Sequence, residues 1–119
     1  MRDHKDLDVW KVGMDLVSDI YTVTLLFPKS EQYGLSSQMR RAAVSIPSNI
    51  AEGAARQSEK EFVQFLFIAL GSASELETQV IIAERLRYFG PAEPILTRLD
   101  SVKRLLNGLI RHYRNKSEV

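Results

Sequence analysis

The chain has 119 residues, with 16 Lys and Arg against 15 Asp and Glu for a net charge of +1, and no Cys. A single domain of that length buries roughly 65% of its unfolded surface and needs no covalent or metal staple. The balance excludes disulfides, thiolate metal sites, a Cys nucleophile and a bulk polycation, so nucleic-acid binding would have to come from local clustering of charge.

Helical periodicity starts at once. Between Asp6 and Phe27, the residues Trp10, Met14, Val17, Tyr21 and Thr24 recur at spacings of 4, 3, 4 and 3, which is one face of a helix. Asp6 or Asp8 is placed to cap its start, and Pro28 ends it by pushing Phe27 out of helical geometry. A second helix is expected from about Ser30 to Ala55, with Leu35, Met39, Ala42, Ile46 and Ile50 as its stripe. Pro47 near its middle removes a backbone hydrogen bond and crowds the Ala43 carbonyl, so a kink or break is expected near Ser45–Ser48. Ser45, Pro47, Ser48 and Asn49 form a polar cluster around that point, and Gly53 weakens the helix late.

The third helix has the clearest signal. Ser58 and Glu61 have capping-box spacing, and Phe62, Leu66, Ala69, Ala73, Leu76, Val80 and Ala83 follow at alternating spacings of 4 and 3. Extended to Tyr88 it would be about 46 Å long. Gly90 and Pro91 stop it and start a fourth helix to about Asn115, whose inward row is Leu99, Val102, Leu106, Leu109 and Tyr113. Lys116 to Val119 reads as a frayed tail. Four long helices, short links and no strand pattern predict an all-α, antiparallel up-and-down four-helix bundle, one domain over residues 1–119. No apolar run reaches ~18 residues and the first residues are charged, so a soluble cytoplasmic protein without a membrane partner is expected.

The third helix carries more apolar surface than one bundle face uses. In Phe62–Leu70 eight of nine residues are apolar and point all round, and Ile81-Ile82-Ala83 repeats the pattern. Its second side is either wrapped by the sibling helices or covered by another copy of the chain. The excess favours homo-oligomerisation, with Val63, Phe67, Leu70 and Ile81 as candidate interface residues and a closed ring as the usual outcome.

Charge is unevenly placed: residues 1–31 carry a net −2, residues 32–57 +2, residues 58–97 −3 and residues 98–119 +4. The candidate nucleic-acid contacts are therefore Arg40, Arg41 and Arg56 in one zone, and Arg111, Arg114 and Lys116 in the other. Arg forks suit phosphate oxygens, although the same charges also suit solvated helix faces and the dipole at a helix C-terminus. No aromatic residue interleaves with these cations along the chain in the manner of a stacking platform, so binding by shape and charge is expected.

Enzyme patterns are lacking. Glu52, Glu75, Glu77 and Glu84 lie on predicted helices, but neither His4 nor His112 has a Glu three residues before it, as a bundle di-metal site requires. His112 has no serine on a strained turn to work with, and there is no Gly-rich phosphate loop. A non-enzymatic protein without cofactor or metal is expected.

The run Arg40-Arg41-Ala42-Ala43-Val44-Ser45-Ile46-Pro47-Ser48-Asn49-Ile50-Ala51-Glu52-Gly53 resembles the four-helix-bundle family of the 23S ribosomal RNA intervening-sequence proteins. Leu7-Asp8-Val9-Trp10-Lys11, Phe27-Pro28-Lys29, Tyr33–Met39, Phe62–Leu66 and Ala69–Gln79 fit the same family, so the resemblance spans nearly the whole chain. It implies a bacterial up-and-down bundle that assembles as a homopentamer, similar to the accessory variability protein of diversity-generating retroelements, which binds a reverse transcriptase and nucleic acid. It implies no catalytic residue, and the basic surface carries over as Arg40, Arg41 and Arg56. The expectation is an oligomeric RNA or DNA accessory module. The alternative is a protein-binding scaffold, in which the Arg pair stabilises the assembly.

Overall fold

The computed structural model describes residues 3–117; Met1, Arg2, Glu118 and Val119, and with the last two the end of the expected frayed tail, lie outside the described residues. Four helices, α1 (Asp8–Thr24), α2 (Leu35–Ala54), α3 (Glu59–Arg85) and α4 (Glu93–Ser117), account for most of the chain, with short 3-10 turns at His4–Asp6 and Lys29–Glu31. They pack into a bundle of 50 × 22 × 20 Å with no strand among the described residues. α1 packs on α2, α2 on α3, α3 on α4 and α4 on α1.

The core is built from the expected rows of three helices. Met39, Ile46 and Ile50 of α2, Phe62, Leu66 and Leu76 of α3, and Leu99 and Leu106 of α4 are fully buried. Each such side chain contributes about 1.5–3 kcal/mol relative to exposure. In α1 the buried row is instead Val9, Gly13, Leu16 and Ile20, one residue before the predicted Trp10, Met14, Val17 and Tyr21, and only Thr24 is buried as predicted. Met14 and Tyr21 of the predicted row are each 43% exposed. Both rows have helical spacing, so periodicity alone does not choose between them. Packing does: the row that is buried sets Gly13 against Ile46 and Pro47 of α2.

Helix ends follow the local chemistry, with corrections. Neither Asp6 nor Asp8 caps α1: its N-cap is Leu7, and the capping carboxylate is Asp3, which accepts from the Lys5 N–H of the preceding turn. α2 starts at Leu35 because Glu31 Oε1, in the turn before it, accepts the Leu35 N–H at 3.0 Å. Of the kink or break expected near Ser45–Ser48 the break is absent: α2 stays helical from Leu35 to Ala54 with Pro47 inside it. The capping box at α3 is present, with Ser58 Oγ accepting the Glu61 N–H at 3.1 Å. α3 ends at Arg85 rather than Tyr88, where Arg87 turns to a positive φ of 62° and the Tyr88 N–H returns to the Ala83 carbonyl. Glu84 Oε2 then accepts the Ala92 N–H at 2.9 Å, just ahead of α4. By length and composition α3 is apolar enough to cross a membrane, as the core helix of a bundle also is.

Candidate nucleic-acid interface

The C-terminal half of α1 and the N-terminal half of α2 diverge around a groove of about 920 Å³. Tyr21, Thr24, Leu25, Lys29, Tyr33 and Arg40 are among its lining residues, with Arg41 at its edge and no carboxylate among the described residues that line it. Two local features open it. The turn at Lys29–Glu31 and the late start of α2 separate the end of α1 from α2, and the long Arg40 side chain spans between them to Thr24.

Arg40 is held on two sides. Its Nε donates to Thr24 Oγ1 at 2.8 Å, while Thr24 Oγ1 in turn donates to the Ile20 carbonyl at 2.7 Å. Its guanidinium carbon lies 4.6 Å from the centroid of the Tyr21 ring, a cation–π geometry. These contacts use one edge and one face, leaving the two Nη groups for an incoming acceptor. No ion pair engages Lys29, Arg40 or Arg41 among the described residues. Arg41 also borders a second hollow on the other flank of α2, lined by Gln38, Ala42, Ser45, Ser72 and Glu75.

The fold divides the six cations read from the sequence. Arg40 and Arg41 share the groove, joined there by Lys29. Arg56 follows the end of α2, four turns further along, where its guanidinium covers Phe65 at 4.9 Å. Arg111, Arg114 and Lys116 lie on the last turns of α4. There Arg114 lies over Phe67 at 5.8 Å, and Lys116 pairs with Glu59 at 3.2 Å. Arg114 and Lys116 thus already have aromatic and carboxylate partners, whereas no carboxylate lines the groove of Lys29, Arg40 and Arg41.

The polar cluster around Pro47 turns toward α3. Ser45 Oγ and Ser72 Oγ share a hydrogen bond of 2.8 Å, and Asn49 Nδ2 donates to both the Ser45 carbonyl and Ser45 Oγ. Pro47 is buried and Ser48 exposed. These groups fasten the α2–α3 seam and stand apart from the mouth of the groove, of which only Ser45 is a lining residue.

Of the four candidate interface residues, Phe67 and Ile81 face outward on α3. Val63, 9% exposed, is spent on the chain's own core, and Leu70 is half-buried against it. The outward apolar row gains Ile68 and Ile82, with Gly71 and Thr78 between.

Sequence reading missed the aromatic part of the groove. Tyr21 lies a helix away from Arg40, and Tyr33, 91% exposed, sits in the turn before α2. The expectation of no stacking platform does not describe the groove, where Tyr21 and Tyr33 stand with the cations, and along the chain Tyr113 lies between Arg111 and Arg114. The one signal for Tyr33 was a large aromatic beside Gly34, in a segment expected to be helical.

Comparison with known proteins gives the same fold. No curated protein matches the chain. A crystal structure of a protein of unknown function from the S23 ribosomal protein family of Bacteroides thetaiotaomicron VPI-5482 superposes with a TM-score of 0.80. It is 25% identical, over 87% of this chain and 95% of that one. The family model for the 23S rRNA-intervening sequence protein matches residues 5–108, which takes in all of α1, α2 and α3 and most of α4. The bundle and this match agree with the resemblance carried by the Arg40–Gly53 run: the chain belongs to the 23S rRNA-intervening sequence protein family.

Proposed function

We propose that this protein is a non-enzymatic, cytoplasmic RNA-binding accessory module that works as a homo-oligomeric ring of up-and-down bundles. The observation that carries the reading is the α1–α2 groove, where Lys29, Arg40 and Arg41 converge without a carboxylate lining. Three cations at one concavity are a site for phosphate oxygens, and Arg40 is held in place before any ligand arrives, which lowers the ordering cost of binding. Membership of a family named for 23S rRNA intervening sequences supports RNA as the polymer.

Two further features support the rest of the reading. Lys116 near the end of α4 reaches Glu59 at the start of α3, and Tyr88 beyond α3 reaches Glu31 before α2, as alternating helix directions require. The outward row Phe67, Ile68, Ile81 and Ile82 supports self-association, with five copies as the number the resemblance implies.

Titration of a labelled structured RNA by anisotropy tests the function. Three phosphate contacts per protomer give an affinity that falls roughly 20–40-fold between 50 and 200 mM salt. The double variant Arg40→Ala/Arg41→Ala should abolish most of that salt dependence and leave the sedimenting mass unchanged. No binding at the lower salt sinks the reading. A lower mass for the double variant would favour the scaffold alternative, in which the Arg pair supports the assembly.

A further inference from the structure

We infer that the α1–α2 groove takes unpaired RNA, with a base stacked on Tyr33 and the adjoining phosphate held by Arg40. The inference rests on the RNA-binding reading above and specifies the substrate class of the same site. Tyr33 is the most exposed aromatic side chain among the described residues, and it stands beside Lys29 and Gln32 on the groove's edge. A ring left this open to water in a short turn is not a packing element, and its face is available to a base. Leu25, 77% exposed, gives the opposite wall a second apolar surface.

The arrangement of charge fits a strand threaded past these rings. Arg40 is fixed by Thr24 and Tyr21, so its Nη groups meet a phosphate at a defined place. Lys29 and Arg41 add positive charge to the same groove, and Gln32, Ser36 and Ser37 offer hydrogen bonds to base edges or 2′-hydroxyls. A duplex cannot use Tyr33, because its bases are already stacked on one another and the ring reaches only its backbone. Unpaired nucleotides can, since every base has a π face. A second copy of this chain is the poorer occupant. It would bury three cations for which the outward row of α3 brings one carboxylate, Glu75, among apolar and small residues, and an unpaired buried charge is costly.

The test compares a labelled single-stranded oligo(A) of 12 nucleotides with the same strand in an A·U duplex, by anisotropy at fixed salt. Single-stranded RNA should bind the tighter by about 10-fold. Tyr33→Leu should remove that advantage while keeping the salt slope, and Tyr33→Phe should restore it. Circular dichroism and sedimentation of each variant check that the bundle and its assembly persist. Equal affinity for strand and duplex, or a Tyr33→Leu variant that binds both as the parent does, overturns the stacking inference and leaves salt-sensitive binding through Arg40 and Arg41 standing. A Tyr33→Leu variant that loses mass instead overturns it by making the groove a contact between subunits. If neither RNA binds at low salt, this inference and the proposed function fall together.

Discussion

The two flanks of α2 are built to opposite ends. Toward α3 the helix is closed by small residues: Ser45 meets Ser72, and at Gly53 the backbones come so near that a Cβ would lie 2.6 Å from the Cβ of Phe65. Toward α1 the approach at Gly13 is looser, since a Cβ there would find Ile46 and Pro47 at 3.6–3.8 Å, and further along the long Arg40 side chain spans to Thr24 and Tyr21 beside the groove. A closed flank holds the bundle together and an open flank leaves polar groups for something else. The difference arises from side-chain size along one 20-residue helix.

Gly53→Ala should break the closed flank. The new methyl meets a neighbouring Cβ and the Phe62 carbonyl, neither of which is the loose end of a flexible side chain, so α2 and α3 must move apart. The cost is that of overpacking, about 2 kcal/mol, or about 8 °C in Tm for a chain of this size. An unchanged Tm would mean that the approach at Gly53 is not what sets the α2–α3 spacing.

Gly13→Ala asks the same question of the other flank and should give the opposite sign. Its methyl would sit at ordinary contact distance, and alanine is the better helix former by about 1 kcal/mol. A rise of about 4 °C is expected, and a fall would show that α1 lies as tightly on α2 as α3 does.

Gly71→Ala carries the comparison to the outward side of α3. Within one chain nothing lies within 4 Å of the added methyl, and the same is true of Gly108 on α4. Each substitution alone should stabilise by roughly 0.5–1 kcal/mol. Gly71, however, lies between Phe67 and Ile81 on the apolar row proposed to meet another copy, where a small residue permits close approach. Sedimentation over a range of concentrations should therefore show Gly71→Ala shifted toward single chains and Gly108→Ala unshifted. A higher Tm at unchanged mass for both would leave the α3 row without a partner.

Much of the closed flank was legible from the sequence, and little of the open one. The α3 row from Phe62 to Ala83 and the Ser58–Glu61 cap were read residue by residue, because each depends on spacing within one helix. The α1 row came out one residue off, since Trp10, Met14, Val17 and Tyr21 are as periodic as Val9, Gly13, Leu16 and Ile20, and only packing on Pro47 separates them. The start of α2 was misplaced because its cap comes from Glu31, outside the usual N-cap position. Arg40 and Arg41 were found as a charge cluster. Thr24 and Tyr21, which hold Arg40, come from α1, and no spacing rule joins a helix to the one beside it.

The smallest expected effect concerns the foot of the open flank. Glu31 caps α2 through Leu35 and accepts the Tyr88 hydroxyl at 2.8 Å, so it links the groove's end to the segment after α3. The Leu35 N–H first, and then the Tyr88 hydroxyl, hold its carboxyl below the usual carboxylate range, while the same bond raises the Tyr88 phenol. A carboxyl with a lowered folded pKa stabilises the fold at neutral pH, above its unfolded value, and that contribution is lost as pH falls through the folded value. Glu31→Gln keeps an acceptor oxygen for the Leu35 N–H and turns an amide N–H to the Tyr88 hydroxyl, which can accept it, but removes the charge, also favourable at a helix N-terminus. The variant should therefore have a slightly lower urea midpoint at pH 7, and the gap to the parent should narrow on acidification as the parent's own carboxylate is protonated. A gap that stays constant down to about pH 3 would mean that the charge on Glu31 contributes nothing and that the groove's end is held by hydrogen-bond geometry alone.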